Sequence, residues 1–73
     1  MRIRLRADVL KALCQAEGIS RSELARQIDV SPTTVYRVER GLVSPSPRFI
    51  AEIMLWAGMG FEELFEIVPD ADR

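Results

Sequence analysis

Residues 20–41 read SRSELARQIDVSPTTVYRVERG, and this stretch decides the fold. Ser20 stands three residues before Glu23, which is the capping-box pattern that starts a helix. The apolar residues that follow recur at helical spacing. We therefore predict a short helix that begins after Ser20 and turns three side chains inward, Leu24, Ala25 and Ile28.

A second helix is predicted directly after a tight turn at residues 29–31. Ser31 is a favourable N-cap, and Pro32 takes the first helical position, where its missing N–H has no consequence. The helix is expected over 32–40, with Gly41 ending it. Two helices joined by so short a turn must cross steeply, so the second one protrudes. Its inward residues are Val35 and Val38.

The flanking sequence predicts two longer helices. Asp8 is expected to cap a helix that ends at Gly18 and turns one apolar side inward, namely Val9, Leu10, Leu13 and Cys14. Residues 42–47 form a loop, because Pro45 and Pro47 prevent a helix across it. A further helix is expected over 47–57 with an inward stripe of Ile50, Ile53, Met54 and Ala57.

The two ends of the chain have extended character. Residues 1–6 alternate apolar and basic side chains, which is typical of a strand or a flexible arm. One more helical turn is expected over 61–65, followed by a short extended segment in an acidic tail, 66–73. The whole chain is interpreted as one mostly α-helical domain, 1–73.

Composition excludes most catalytic chemistry. The 73 residues include no histidine and one cysteine, so we expect no zinc site and no histidine acid–base catalysis. We predict that the chain is not an enzyme and uses no metal or cofactor. Its net charge is −1, yet residues 1–41 hold eight Arg/Lys against five Asp/Glu, and residues 42–73 hold two against six. The basic first half permits contact with phosphates.

The chain carries a set of small and apolar residues at fixed spacing, namely Leu24-Ala25, Val30-Ser31, Val35, Val38, Glu39, Gly41, Pro45, Gly58 and Phe61-Glu62-Glu63-Leu64-Phe65. Over roughly residues 7–65 this pattern resembles the Cro and lambda-repressor-like (Xre-type) helix-turn-helix family. The resemblance implies a compact DNA-binding domain of four to five helices. The chain is also similar to a subgroup in which an N-terminal extended segment pairs with an extended segment after the last helix. In this chain, residues 3–6 and 65–68 would form that two-stranded ribbon.

The resemblance also implies roles for individual residues. The helix 32–40 would enter the major groove of double-stranded DNA, where Thr33, Tyr36 and Arg37 would contact base edges. Phosphate contacts would come from Arg21, Ser31, Thr34, Arg40 and Arg48. Alternatives remain open at this point: Arg37 and Thr33 as phosphate contacts or solvated side chains, and Tyr36 as a residue packed on the first helix.

The sequence departs from the family pattern at three positions. Pro32 stands where a base-contacting polar residue is common, and Asp29 stands where glycine is usual. Cys14 occupies a position where some members have an arginine that pairs with the Glu39 position, so Glu39 needs another partner or faces solvent. Three N-terminal arginines are either a minor-groove arm or the solvated face of a strand, and we favour the strand for Arg2, Arg4 and Arg6.

The helix 47–57 is apolar nearly all round, which favours a second partner beyond its own core. The family resemblance implies dimerisation through this region. We therefore expect a homodimer that reads two half-sites. The alternative is that a small domain needs all of these contacts for its core. The candidate interface residues are Leu55, Trp56, Met59 and Phe61.

These observations predict a sequence-specific transcriptional regulator of the phage or mobile-element kind, acting as a repressor by occluding a promoter. The runner-up is an antitoxin-type regulator that also binds a partner protein, and a third possibility is an interaction adaptor without DNA binding. The apolar segment 49–61 is shorter than the roughly 20 residues that cross a bilayer. We expect no secretory signal, no membrane association and a cytoplasmic, nucleoid-associated location.

Overall fold

The structure, a computed structural model, describes residues 2–69. Along this part of the chain, five helices lie between an N-terminal and a C-terminal strand. The elements are β1 (Arg2–Leu5), α1 (Ala7–Glu17), α2 (Arg21–Gln27), α3 (Pro32–Glu39), α4 (Pro47–Ala57), α5 (Phe61–Leu64) and β2 (Phe65–Val68). The prediction of a mostly helical domain with a terminal ribbon is confirmed. The first residue of the predicted arm and residues 70–73 of the predicted acidic tail lie outside the described range.

The two strands pair antiparallel and bring the ends of the described chain together. Arg2 is opposite Val68, and Leu5 is opposite Phe65. Because side chains alternate along a strand, Leu5 and Phe65 enter the core while Arg4 stays exposed. The ribbon therefore closes one side of the helical core with its apolar face.

Serine hydroxyls start three of the helices. Ser20, Ser31 and Ser46 each accept a hydrogen bond from the backbone N–H three residues on, at 3.1 Å in every case. Such a cap satisfies a backbone donor that has no partner within the helix and stabilises it by about 1 kcal/mol. The predicted N-caps at Ser20 and Ser31 are confirmed.

Two details of helix initiation were predicted wrongly. Asp8 does not cap α1; the cap is Arg6, which makes no side-chain capping bond. The reason is that β1 leads directly into α1, and the Arg6 N–H is already held by the Leu64 carbonyl at 2.8 Å. At α2, the Glu23 carboxylate does not complete the capping box, because it binds Arg26 at 3.0 Å and Gln27 at 3.3 Å instead.

The core contains side chains from every element. Its fully buried members are Leu5, Leu10, Cys14, Leu24, Ala25, Ile28, Val35, Val38, Phe49, Ile53, Leu64 and Phe65. The inward stripe of α4 is centred on Phe49 and Ile53, whereas Ile50, Met54 and Ala57 are only partly buried. The predicted stripe was therefore rotated by part of a turn. No helix within residues 2–69 is long and apolar enough to span a membrane.

The turn between α2 and α3 has a specific backbone conformation. Asp29 has a positive φ of 60°, a conformation that short polar side chains tolerate better than other non-glycine residues do. The Val30 N–H then bonds back to the Ala25 carbonyl at 2.9 Å. This turn allows α3 to leave α2 at once and present its polar side outward.

An ion pair joins the start of α2 to the end of α3. The Arg21 guanidinium binds both carboxylate oxygens of Glu39, with Nη2–Oε2 at 2.8 Å and Nε–Oε1 at 3.3 Å. The hydrogen bond to Glu39 raises the pKa of Arg21. The pair lies against Cys14, and burial raises the pKa of the Cys14 thiol although the nearby Arg21 opposes this. Glu39 is thus paired with Arg21 of α2, in place of the first-helix arginine that some family members have at the Cys14 position.

Replacement of a core leucine tests the packing. Leu24→Ala is expected to lower the free energy of unfolding by about 2–5 kcal/mol, because Leu24 is fully buried and its removal leaves a cavity. The matched control is Leu42→Ala, since Leu42 is 65% exposed; it should change stability by no more than about 0.5 kcal/mol. Urea denaturation measures the free energy of unfolding of both variants, and equal effects would contradict the burial of Leu24 in this core.

The Arg21–Glu39 pair is tested by a double-mutant cycle with Arg21→Gln and Glu39→Gln. Its side chains are 37% and 18% exposed, so water screens part of the attraction. We expect a coupling of about 0.5–1 kcal/mol that decreases with salt. The control is the Arg26–Glu23 pair, at 79% and 37% exposure, which should couple more weakly. Additive effects of the two Arg21–Glu39 substitutions would contradict a stabilising pair.

Candidate nucleic-acid interface

Helix α3 buries one side and exposes the other. Val35 and Val38 are fully buried, while Thr33, Tyr36, Arg37 and Arg40 are exposed. At 100° per residue, Thr33, Arg37 and Arg40 fall within about 60° of one another. This exposed row extends roughly 10 Å along the helix axis, which suits a major groove about 12 Å wide.

The three predicted base-contacting residues all lie on the exposed side. Thr33 and Arg37 are exposed, and Tyr36 is 52% exposed. The Arg40 guanidinium lies over the Tyr36 ring, 5.4 Å from its centre. Within residues 2–69, Arg37 makes neither a salt bridge nor a side-chain hydrogen bond. Its five N–H donors thus meet no competing acceptor from that part of the protein.

Ser31 and Thr34 form a small hydroxyl cluster at the N-terminus of α3. The two side-chain oxygens are 2.9 Å apart, and the Ser31 oxygen also accepts the Thr34 backbone N–H. One hydroxyl donates to the other, so a second hydroxyl proton remains able to donate outward. This geometry agrees with the predicted phosphate contacts of Ser31 and Thr34, which stay predictions.

Two of the predicted phosphate-binding arginines are engaged inside the molecule. Arg21 uses Nε and Nη2 on Glu39, which leaves Nη1 for any other ligand. Arg48 binds the Asp29 carboxylate at 2.6 Å, although both side chains are more than half exposed. This second pair neutralises the negative charge that Asp29 places at the turn beside α3.

The N-terminal ribbon lies at the other end of α3. The Arg2 guanidinium donates a hydrogen bond to the Gly41 carbonyl, and β1 packs against α3. Arg4 and Arg40 border the same shallow depression. The sequence alternation predicted that Arg2 and Arg4 share one face of a strand. Nothing in the sequence indicated that this face adjoins α3, so Arg2 and Arg4 were not among the predicted site residues.

Part of α4 remains apolar and uncovered. Pro47, Ile50, Ala51, Met54 and Leu55 line an apolar surface here called the α4 face. Leu55 is 80% exposed, and it is the residue that the α4 face shares with the predicted dimer interface. The other predicted interface residues pack partly against their own core, namely Trp56, Met59 and Phe61.

Comparison with known proteins adds one positive finding. No curated protein and no solved structure matches this chain. A family model described as a helix-turn-helix domain matches residues 7–64, which include all five helices of the described chain. The match covers the α2–turn–α3 unit together with the helices that support it. The chain therefore belongs to the helix-turn-helix domain family.

Proposed function

We propose that this protein is a sequence-specific regulator of transcription that binds double-stranded DNA and belongs to the Cro/lambda-repressor-like branch of its family. The observation that carries the proposal is the exposed row on α3. Thr33, Arg37 and Arg40 lie in line on a helix that is fixed at both ends and that buries its opposite side. An exposed helix with an available arginine in its row is what major-groove recognition requires.

The charge distribution supports this assignment despite the overall net charge of −1. Four arginines are paired with carboxylates in the described structure, namely Arg6, Arg21, Arg26 and Arg48. The remaining described arginines, Arg2, Arg4, Arg37 and Arg40, lie on α3 or next to it. The described arginines without a carboxylate partner are therefore concentrated where α3 would meet DNA, and the two acidic residues beside that surface, Asp29 and Glu39, are each paired with an arginine.

In this proposal Arg37 reads a guanine, and Thr33 and Tyr36 contact neighbouring bases. Ser31, Thr34 and Arg40 bind phosphates, and Arg21 and Arg48 approach the backbone while they keep their internal partners. Occupation of an operator represses transcription by excluding the polymerase. We also infer that the protein acts in the cytoplasm, on the nucleoid.

Base reading by Arg37 is tested by selection from a randomised duplex library. The wild-type protein should enrich a defined motif, and Arg37→Ala should relax it at one base pair. The expected loss of discrimination there is about 1–3 kcal/mol, because a bidentate arginine–guanine contact disappears. The matched control is Lys11→Ala, which removes an exposed positive charge from α1.

Two results would contradict this assignment. Salt-sensitive binding without any enriched motif would show that the protein contacts phosphates alone. An absence of binding at low salt would remove the DNA-binding proposal altogether.

We further propose that the protein acts as a homodimer through the α4 face. Pro47, Ile50, Ala51, Met54 and Leu55 follow the spacing i, i+3, i+4, i+7 and i+8, which forms one continuous stripe on a helix. A stripe of this kind packs well against a copy of itself around a two-fold axis. Two copies of α3 would then address two half-sites of one operator.

Introduction of a charge at Leu55 tests the dimer. Leu55→Glu should convert the dimer to a monomer and weaken operator binding without unfolding the domain, because Leu55 is 80% exposed. The control is Leu42→Glu, which places the same charge at another exposed leucine outside the α4 face. Sedimentation equilibrium measures the loss of the dimer, and the thermal midpoint of diluted protein shows whether the domain stays folded.

A wild-type protein that stays monomeric, alone and on its operator, would overturn the dimer. If the same α4 face then formed a stoichiometric complex with one identified protein partner, the antitoxin-type function would replace the homodimer.

A further inference from the structure

Three arginines meet at the C-terminal end of α3, and the sequence separates two of them from the third by more than 35 residues. Arg2, Arg4 and Arg40 surround Gly41 and border a shallow depression with Val68 and Pro69. Arg4 Nε lies 3.6 Å from the position that a Cβ would take on Gly41. The three guanidinium groups therefore form one basic surface, here called the ribbon cluster.

The ribbon holds this cluster in place. Residues two apart on a strand share a face, so Arg2 and Arg4 point to the same side while Ile3 and Leu5 turn to the core. The pairing of Arg2 with Val68 fixes the strand at its outer end. The Arg2 guanidinium also donates to the Gly41 carbonyl, which attaches β1 to the end of α3. These arginines are thus part of a folded surface and do not form a flexible arm.

Among residues 2–69, no carboxylate forms a salt bridge with an arginine of the ribbon cluster. Within residues 2–69, the side chains of Arg4 and Arg40 make no hydrogen bond and no salt bridge. Glu66 is opposite Arg4 in the ribbon, yet its carboxylate is turned to Arg6 at 3.4 Å. Like charges in one small area repel each other, and an anion with several acceptor oxygens removes that repulsion.

The cluster continues the exposed row of α3. Arg40 belongs to that row with Thr33 and Arg37, and it also borders the depression with Arg2 and Arg4. A duplex seated on α3 would therefore bring a strand of its backbone to the ribbon cluster. A phosphate of that backbone is the anion that the position selects.

We propose that the ribbon cluster binds a backbone phosphate of the DNA that α3 enters, with Arg4 and Arg40 as direct ligands and Arg2 as the residue that positions them. This rests on the proposed function and extends the DNA interface from the helix-turn-helix to β1. A clamp at this end of α3, together with Ser31 and Thr34 at the other end, fixes the depth and tilt of the helix in the groove. It carries no base information itself.

The test compares Arg4→Gln with wild-type protein. Arg4 is exposed and makes no side-chain bond within the described chain, so the variant should fold normally, with an unchanged thermal midpoint. Kd is measured between about 50 and 200 mM salt for the selected operator and for a mixed-sequence duplex. We expect affinity to fall by roughly threefold or more on both duplexes, and the slope of log K against log salt to decrease by about 0.9. The control for charge alone is Lys11→Gln on α1.

Neutral methylphosphonate groups then locate the contact. Each backbone phosphate of the operator is replaced in turn. Replacement at one position should weaken binding by the wild-type protein and leave binding by the Arg4→Gln variant unchanged. Such non-additivity identifies a direct pair. Arg40→Gln should lose sensitivity at the same position.

The possible failures are distinguishable. If the wild-type protein recognises its operator and Arg37→Ala relaxes it, but Arg4→Gln behaves like Lys11→Gln, the ribbon cluster is not a phosphate site and the proposed function stands. If Arg4→Gln weakens binding only to sites with particular flanking base pairs, the arginines read a groove and the phosphate assignment is wrong. If the wild-type protein binds no duplex, both proposals fail.

Discussion

The left-handed backbone of Asp29 is the constraint on which the rest of the site depends. It allows α3 to begin three residues later at Pro32, under the Ser31 cap, with its valines in the core and its polar row outside. A residue that cannot adopt a positive φ at this position would displace α3 as a whole. Arg48 offsets the charge that this choice brings, since it binds the Asp29 carboxylate at the edge of the turn. One backbone angle thus sets the positions of the α3 side chains that are proposed to meet DNA.

The far end of α3 is held as firmly as its start. Glu39 is bound by Arg21 from α2, and the Gly41 carbonyl is bound by Arg2 from β1. A helix of eight residues would be marginal alone, because isolated short helices are unstable in water. Contacts from α2 and β1 give it one defined orientation. Such preorganisation is what converts a surface helix into a reader of base edges, since a loosely held arginine would lose discrimination.

Local signals in the sequence were enough to predict most of the fold. Serine caps, Pro32 at a first helical position and the glycines after α1, α3 and α4 act over a few residues, so they can be recognised without knowledge of the tertiary structure. The alternation in residues 2–5 likewise predicted β1. The exposure of Thr33, Tyr36 and Arg37 could be predicted because it follows from the burial of Val35 and Val38, three residues apart, whereas their proposed roles came from the family resemblance.

What the sequence could not predict depends on contacts between distant segments. A helix that is apolar nearly all round gives little signal for which side faces inward, and the predicted stripe of α4 accordingly included Ile53 but missed Phe49. The Arg21–Glu39 pair and the position of β1 beside Gly41 join residues 18 and 39 apart, respectively. Asp8 was chosen as a cap by residue type, whereas the hydrogen bond from Arg6 to Leu64 decides where α1 begins.

The α4 helix links the proposed dimer to DNA recognition. Trp56 on α4 donates its indole N–H to Gln27 on α2 at 2.6 Å, and Arg48 at the start of α4 binds Asp29 in the turn. The two links fasten opposite ends of α4 to the helix-turn-helix. A second copy seated on the α4 face would therefore be placed at a fixed distance and angle from α3, because little freedom remains between them. In a dimer built this way, the α4 face sets the spacing between operator half-sites, although none of its side chains is among the proposed DNA contacts.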